Sequence, residues 1–295
     1  MQISPAASVS PGRSWLFVPG NNEHYLTKSF ASEADALLLD LEDGVPPGDK
    51  QRAREMIAAC LATPSDKVRF VRVNAWATGQ LLDDLGAVVR AGLDGICLPK
   101  AESPAHILQL AGRLAAIETA RGLPAGSVRI LAAIESARGL LAAYDIASAH
   151  PRVAGLMFGA EDFALDLGLL TNRQQEAADL GYARSALVVA ATAAGVLSVD
   201  GVYPHLKDEQ GLRADTRRSL NYGFSGKSTF SPRQLAVIHE VFRPDSDEVA
   251  FSRRVVTAFD AAAAESAGSA VVDGQLVDLP IMLRARRVLE RSELA

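Results

Sequence analysis

Val128-Arg129-Ile130-Leu131-Ala132-Ala133-Ile134-Glu135 and Val153-Ala154-Gly155-Leu156-Met157-Phe158-Gly159-Ala160-Glu161-Asp162 decide the fold. Each is an apolar run of strand length that ends in carboxylates, and each is followed by a helical pattern. A strand without polar alternation is buried on both faces, as in a parallel sheet covered by helices. Acids at the ends of such strands project into the mouth of a parallel barrel, where a hard divalent cation can be held.

The same unit recurs on both sides of these segments. Trp15–Val18, Ala36–Leu41, Val68–Val73 and Gly95–Pro99 precede them, and Val196–Val202 and Gly226–Phe230 follow. Helical patterns intervene over 22–34, 50–61, 79–91, 104–121, 137–148, 209–220 and 232–242. A polar stretch at Thr171-Asn172-Arg173 leads into a long helix ending at Ala194. Eight such units predict an α/β fold, a (β/α)8 TIM barrel with a C-terminal helical extension. An open doubly wound sheet would carry a glycine-rich phosphate turn after its first strand. That position reads Val18-Pro19-Gly20-Asn21-Asn22 instead.

The expected organisation is a flexible N-terminus over 1–12, the barrel with its active site over 13–243, and an extension or lid over 244–295. The extension reads as a Pro244-Asp245-Ser246 linker, a helix over 248–267, a turn at Asp273-Gly274 and a last helix over 281–289. It is too short to be expected to bury a core of its own. It is expected to pack on its own barrel or on a neighbouring subunit.

Composition excludes several classes. The 295 residues are 48% hydrophobic, enough for a large core, and the net charge of −5 gives no basic footprint for nucleic acid. Two cysteines build no disulfide framework and suit a reducing compartment. Met1–Gly12 lacks the apolar core of a secretory signal, and no apolar run reaches membrane-span length. The alanine-rich run from Ser185 to Leu197 reads as a buried helix. A soluble, cytoplasmic protein without a membrane partner is expected.

Polar residues gather at the predicted C-terminal strand ends: Asn21, the Asp40/Glu42/Asp43 knot, Arg72 with Asn74, and Lys100. Glu135, Glu161 with Asp162, Asp200 with Tyr203, and Lys227 complete that face. Glu135 and Asp162 are the metal candidates; the competing reading is that acids simply favour helix N-termini. The acidic knot needs cations, from Arg52, Arg54 or Arg72, and serves either to brace the rim or to catalyse through Glu42. A guanidinium at the end of a buried strand needs an anion, so Arg72 is expected to meet a substrate carboxylate, Glu42 or Glu135. Gly226-Lys227-Ser228 fails the spacing of a phosphate loop, though Lys227 stays a candidate for an anion at the mouth. The five histidines show no metal-ligand spacing, and no Gly-x-Ser-x-Gly elbow occurs. His24 reads as a surface residue, and Cys97 as inert core.

Arg13-Ser14-Trp15-Leu16-Phe17-Val18-Pro19-Gly20-Asn21, Asp40-Leu41-Glu42-Asp43-Gly44-Val45-Pro46, Val71-Arg72-Val73-Asn74 and Leu98-Pro99-Lys100 resemble the citrate lyase beta-subunit-like family. Ile134-Glu135-Ser136-Ala137-Arg138-Gly139 and Phe158-Gly159-Ala160-Glu161-Asp162-Phe163-Ala164-Leu165-Asp166-Leu167-Gly168 continue the resemblance in order along the chain. That group includes malyl-CoA and citramalyl-CoA lyases, within the phosphoenolpyruvate/pyruvate barrel superfamily. The resemblance implies a Mg²⁺ site, with Mn²⁺ as an alternative, and carbon–carbon lyase chemistry on coenzyme A (CoA) thioesters of the malyl, citramalyl or citryl type. It makes Glu135 and Asp162 the metal ligands and Arg72 the holder of the 2-oxo acid carboxylate. Gly159, Ala160 and Glu161 join these three in the expected substrate site. Asn21, Lys100 and Lys227 are the expected cofactor contacts, and Asp278, Arg72 and Glu42 the expected catalytic groups. Asp273-Gly274-Gln275-Leu276-Val277-Asp278-Leu279-Pro280 also resembles the family's tail, which implies that Asp278 enters a neighbour's site in a homotrimer or hexamer.

Two positions depart from the pattern. Phe230-Ser231-Pro232 stands where the family usually has Ile-His-Pro, and Ser136 where it usually has Thr. The rival activities are an aldolase on free 2-oxo acids, a malyl-CoA thioesterase and a non-catalytic metabolite-binding barrel.

Overall fold

The computed structural model describes residues 12–170 and 178–293. The Thr171-Asn172-Arg173 stretch and residues 1–11 of the expected N-terminal segment lie outside them. Eight parallel strands form a closed barrel in sequence order. They are β1 (Ser14–Pro19), β2 (Ala36–Asp40), β3 (Val68–Arg72), β4 (Gly95–Leu98), β5 (Arg129–Ile134), β6 (Val153–Phe158), β7 (Leu197–Asp200) and β8 (Gly226–Thr229). Closure runs through β1 and β8, with Ser14 opposite Lys227 and Leu16 opposite Thr229.

The helices are α1 (Glu23–Phe30), α2 (Lys50–Leu61), α3 (Leu81–Val88), α4 (Pro104–Arg121), α5 (Ala137–Leu141), α6 (Ala143–Ser148), α7 (Ala160–Asp166), α8 (Gly181–Ala194), α9 (Glu209–Tyr222) and α10 (Leu235–Phe242). The helix expected over 137–148 is thus two, because Ala142 turns out of helical geometry at φ −98° and ψ 5°. Strand alternation divides the apolar residues between two cores. Trp15, Leu38, Phe70, Leu131, Met157 and Val199 fill the barrel interior. Leu16, Leu37, Leu39, Val71, Ile96 and Ile130 point outward to the helices. Trp15 meets Phe70 edge-on at 5.2 Å. Cys97 lies in the interior core, where burial pushes its thiol well up.

The chain forms two compact units, one ending at Ile238 and one starting at His239. The second holds α11 (Ser246–Ala264), a hairpin of β9 (Ala270–Val272) and β10 (Gln275–Val277), and α12 (Leu279–Glu293). Asp245 and Glu248 cap α11 reciprocally. The expectation that this segment cannot bury a core is corrected. Val255, Val272, Val277, Met282 and Ala285 form a small cluster, because the hairpin supplies a third apolar surface beside the two helices. Among the described residues, no helix is long and apolar enough to cross a membrane.

Candidate active site

The strand ends frame a cavity of about 350 Å³ at the barrel mouth. β3 delivers Arg72, whose Nε and Nη2 donate to the two carboxylate oxygens of Asp40 at 2.8 and 2.7 Å. Its Nη1 lies 3.0 Å from Glu42 Oε2. The Phe17 ring covers one face of this guanidinium at 4.9 Å. Arg72 is therefore the cation that the acidic knot requires. Arg54 is not, because it pairs with Asp84, whose carboxylate also binds Asn74. Asn74 turns to that buried contact.

The loop after β2 is shaped around Asp40. The backbone N–H groups of Glu42 and Gly44 donate to its carboxylate. A side-chain carbon on Gly44 would overlap Asp40 Oδ2. From α2, Lys50 Nζ donates to the carbonyls of Leu41 and Glu42 at 2.6 and 2.7 Å. The sequence reading missed this strut, since one lysine on a helix carries no signal of its target.

Glu135 follows β5 and is only 6% exposed. Its Oε2 accepts the Lys100 N–H at 3.2 Å. Lys100 takes a left-handed backbone, φ 51°, a strained choice for a residue with a side chain, and this aims its N–H at the carboxylate. Gly159 leaves the room that Glu135 fills, since a Cβ there would overlap Glu135 Cγ. Asp162 sits in the first turn of α7 and lines the same cavity. Lys100 Nζ lies 3.9 Å from both Asp162 Oδ1 and Glu42 Oε1.

These acids crowd one another. Burial first, then the charges of Glu42 and Asp162, push the Glu135 carboxyl up to about 8 against the pull of Arg72 and Lys100. Burial also raises Glu42, to about 7, with Asp43 and Asp40 adding to it and Arg72 and Lys100 opposing. A site so short of positive charge fits a small cation. Among the described residues, no group of three or more His, Cys, Asp or Glu is arranged to hold a metal ion. Two carboxylates with water and substrate oxygens are nevertheless the donor set that Mg²⁺ favours.

Ala160 and Glu161 also line the cavity. Asn21 lies in the loop after β1, where its amide donates to Asp49. Lys227 is the one expected cofactor contact that the structure corrects. It is 1% exposed, and its ammonium is consumed by Asp215 at 2.7 Å, Asp200 at 3.2 Å and the Gly201 carbonyl at 2.8 Å. Arg184 joins the same buried cluster. Lys227 thus braces β8 against β7 and α9 and presents no charge to the mouth. In the second unit, Asp278 precedes α12 and accepts from the Ile281 N–H at 3.2 Å.

Sequence reading also missed the aromatic wall. Phe230, after β8, is 53% exposed, lines the cavity and meets Phe17 at 5.1 Å. The departure at 230–231 flagged the place, but only the fold sets it against a ring on β1.

Comparison with known proteins bears on the fold and the family. The model of the HpcH/HpaI aldolase/citrate lyase family matches residues 13–232. Citrate lyase subunit beta of Escherichia coli K12 is 41% identical over 96% of this chain and 94% of its own length. A (3S)-malyl-CoA thioesterase of Cereibacter sphaeroides is 36% identical over 98% of this chain and 97% of its own. The crystal structure of CitE from Mycobacterium tuberculosis, in complex with magnesium, acetoacetate and coenzyme A, superposes with a TM-score of 0.81 at 33% identity. That match covers 96% of this chain and 99% of the other. With its closed parallel barrel and these likenesses along nearly its whole length, the chain belongs to the HpcH/HpaI aldolase/citrate lyase family, a family of carbon–carbon lyases.

Proposed function

We propose that the chain is a Mg²⁺-dependent lyase that cleaves, or in reverse forms, a 3-hydroxyacyl-CoA such as malyl-, citramalyl- or citryl-CoA. The products are an acyl-CoA and a 2-oxo acid. One observation carries the reading. Two acids suited to a cation, Glu135 and Asp162, share a cavity with a guanidinium suited to a carboxylate, Arg72. The magnesium, acetoacetate and coenzyme A in the Mycobacterium tuberculosis relative support it.

A divalent cation bound there would supply positive charge to the substrate hydroxyl oxygen, which gains negative charge as its proton is removed ahead of carbon–carbon cleavage. The chain's own groups do the rest. Arg72, fixed in plane by Asp40 and Glu42, orients the oxo-acid carboxylate. Burial raises the Glu42 carboxyl to about 7, so a large fraction is ionised near neutral pH, and this carboxylate is the base that takes the proton of the substrate hydroxyl. As that proton leaves, the hydroxyl carbon becomes a carbonyl and the bonding pair moves into the thioester enolate. An acid then returns a proton to the α-carbon. Asp278 of a neighbouring chain takes that role, in a homotrimer or hexamer acting in the cytoplasm. Asn21 and Lys100 at the mouth meet the CoA portion.

A second reading, hydrolysis of malyl-CoA, is favoured by the Cereibacter sphaeroides relative. It predicts free CoA without free oxo acid. The deciding assay follows oxo-acid release from the three thioesters with Mg²⁺, for the natural chain and for Asp162→Asn. Turnover in the first and its loss in the second, together with weakened Mg²⁺ binding by calorimetry, support the lyase. Full activity in Asp162→Asn removes the metal assignment.

A further inference from the structure

The cavity lining is of two kinds. Five of its residues are acids, Asp40, Asp43, Glu135, Glu161 and Asp162. Arg72 is the only cationic residue among the described residues that line it. Two of its N–H groups already donate to Asp40, and its Nη1 is ion-paired with Glu42. Lys100 stands by the rim, with its ammonium 3.9 Å from both Glu42 and Asp162. The large apolar residues of the lining are Phe17, Met157, Phe158, Val202 and Phe230.

Phe230 is held in this wall by its surroundings. The Thr229 hydroxyl accepts the Ser231 N–H at 3.0 Å and donates to the Gln234 amide oxygen at 2.5 Å. Gln234 in turn donates to the Tyr203 carbonyl at 3.1 Å. Thr229 and Gln234 are buried, so the turn that carries Phe230 is pinned from below. Its ring meets Phe17 at 5.1 Å with the planes tilted by 47°, and Phe17 in turn covers the Arg72 guanidinium at 4.9 Å. A large side chain that is 53% exposed yet fixed on both sides is placed to touch whatever enters.

We infer that Phe230 is a specificity-determining residue, and that the site takes a 2-oxo acid with a single carboxylate and a small apolar or hydrogen substituent. The inference rests on the lyase reading above and narrows it. A pyruvate- or glyoxylate-like fragment places its one carboxylate at Arg72 and its methyl or hydrogen against Phe230. An oxaloacetate-like fragment brings a second carboxylate. That group meets acids or hydrocarbon in the lining, where no second cationic side chain stands among the described residues; Lys100 at the rim is already shared between Glu42 and Asp162. Leaving a charge desolvated and unpaired is a strong basis for rejection.

The test titrates the full-length protein, with Mg²⁺ present, with pyruvate and with freshly dissolved oxaloacetate in the cold, by calorimetry. Citramalyl-CoA and citryl-CoA turnover is measured in parallel. The expected result is a preference for pyruvate of about tenfold or more, matched by a kcat/KM preference for citramalyl-CoA. Phe230→Arg should shrink both preferences by about tenfold, whereas Phe230→Leu should keep them. Mg²⁺ binding without oxo acid should stay unchanged in both variants, which reports an intact fold and metal site. Equal or tighter binding of oxaloacetate by the natural chain overturns the inference, as does an unchanged ratio in Phe230→Arg. If neither oxo acid binds and no thioester turns over, the lyase reading itself falls, and this inference with it.

Discussion

Gly159 and Glu135 occupy one volume between them, and the consequence is testable at a single atom. Adding a methyl at Gly159 places it on Glu135 Cγ. Glu135 is hemmed in at 6% exposure, so its carboxylate must swing away from Asp162 or the α7 start must shift. Gly159→Ala should therefore weaken Mg²⁺ affinity by about tenfold or more, as removal of a supporting contact does. Its stability loss should stay within the about 1–3 kcal/mol typical of overpacking. Calorimetric titration of Mg²⁺ checks this, and unchanged affinity would separate Glu135 from the metal site. The sequence showed Glu135, Asp162 and Arg72 because charge at the end of an apolar run is conspicuous. It could not show that Gly159 yields space, that Lys100 adopts φ 51°, or that Lys227 turns inward to Asp200 and Asp215. Those are properties of neighbours brought together by closure of the barrel.

At the scale of elements, β1, β2, β4, β5 and β6 were legible because they are largely apolar, and the helices because turns and prolines punctuate them; β8, Gly226–Thr229, is polar and rests on its place in the repeat. Boundaries moved where caps decide them. The first helix runs over Glu23–Phe30, with the Asn22 side chain accepting the Tyr25 N–H, whereas periodicity alone extends it to 34. The β9–β10 hairpin escaped detection because three-residue strands carry too little alternation; only Asp273-Gly274 marked its turn. Ion pairs between elements were also hidden. Glu118 on α4 binds the Arg152 guanidinium and accepts the N–H groups of Val128 and Gly126. It thereby clamps the entries of β5 and β6. Burial would raise this carboxyl, but the Arg152 hydrogen bonds and the two N–H groups overcome it and hold the group at about 2, against an ordinary 4.5. A carboxyl depressed in the folded state stabilises fully above its unfolded value and loses that stabilisation as pH falls toward the folded one. The clamp should therefore weaken from about pH 4.5 downward, with about 2 kcal/mol gone by pH 3. Denaturant unfolding at pH 6 and pH 3 checks this, and Glu118→Gln should lose correspondingly less between the two.

On the scale of the whole molecule, the second unit raises the question of where its exposed apolar and acidic groups act. Val271 and Leu276 stand opposite each other on the hairpin, 70% and 64% exposed, beside a segment that ends in Asp278. In the proposed homo-oligomer, where each tail would serve the next barrel, these groups would gain a partner. The arrangement has a sharp signature. On the proposed mechanism, Asp162→Asn would disable the barrel half of a site and Asp278→Ala the tail half, so each variant alone should be inactive or nearly so. When the two are produced together and assemble at random, a site drawing its barrel and its tail from different chains receives both natural halves in about a quarter of cases. Activity should then recover to about a quarter of the natural level, because sites on separate chains combine independently. A tail that serves its own barrel predicts no recovery, since every chain carries one of the two lesions. Oxo-acid release from the mixed assembly therefore distinguishes the two directly, and a flat result would return Asp278 to its own subunit or remove it from the chemistry.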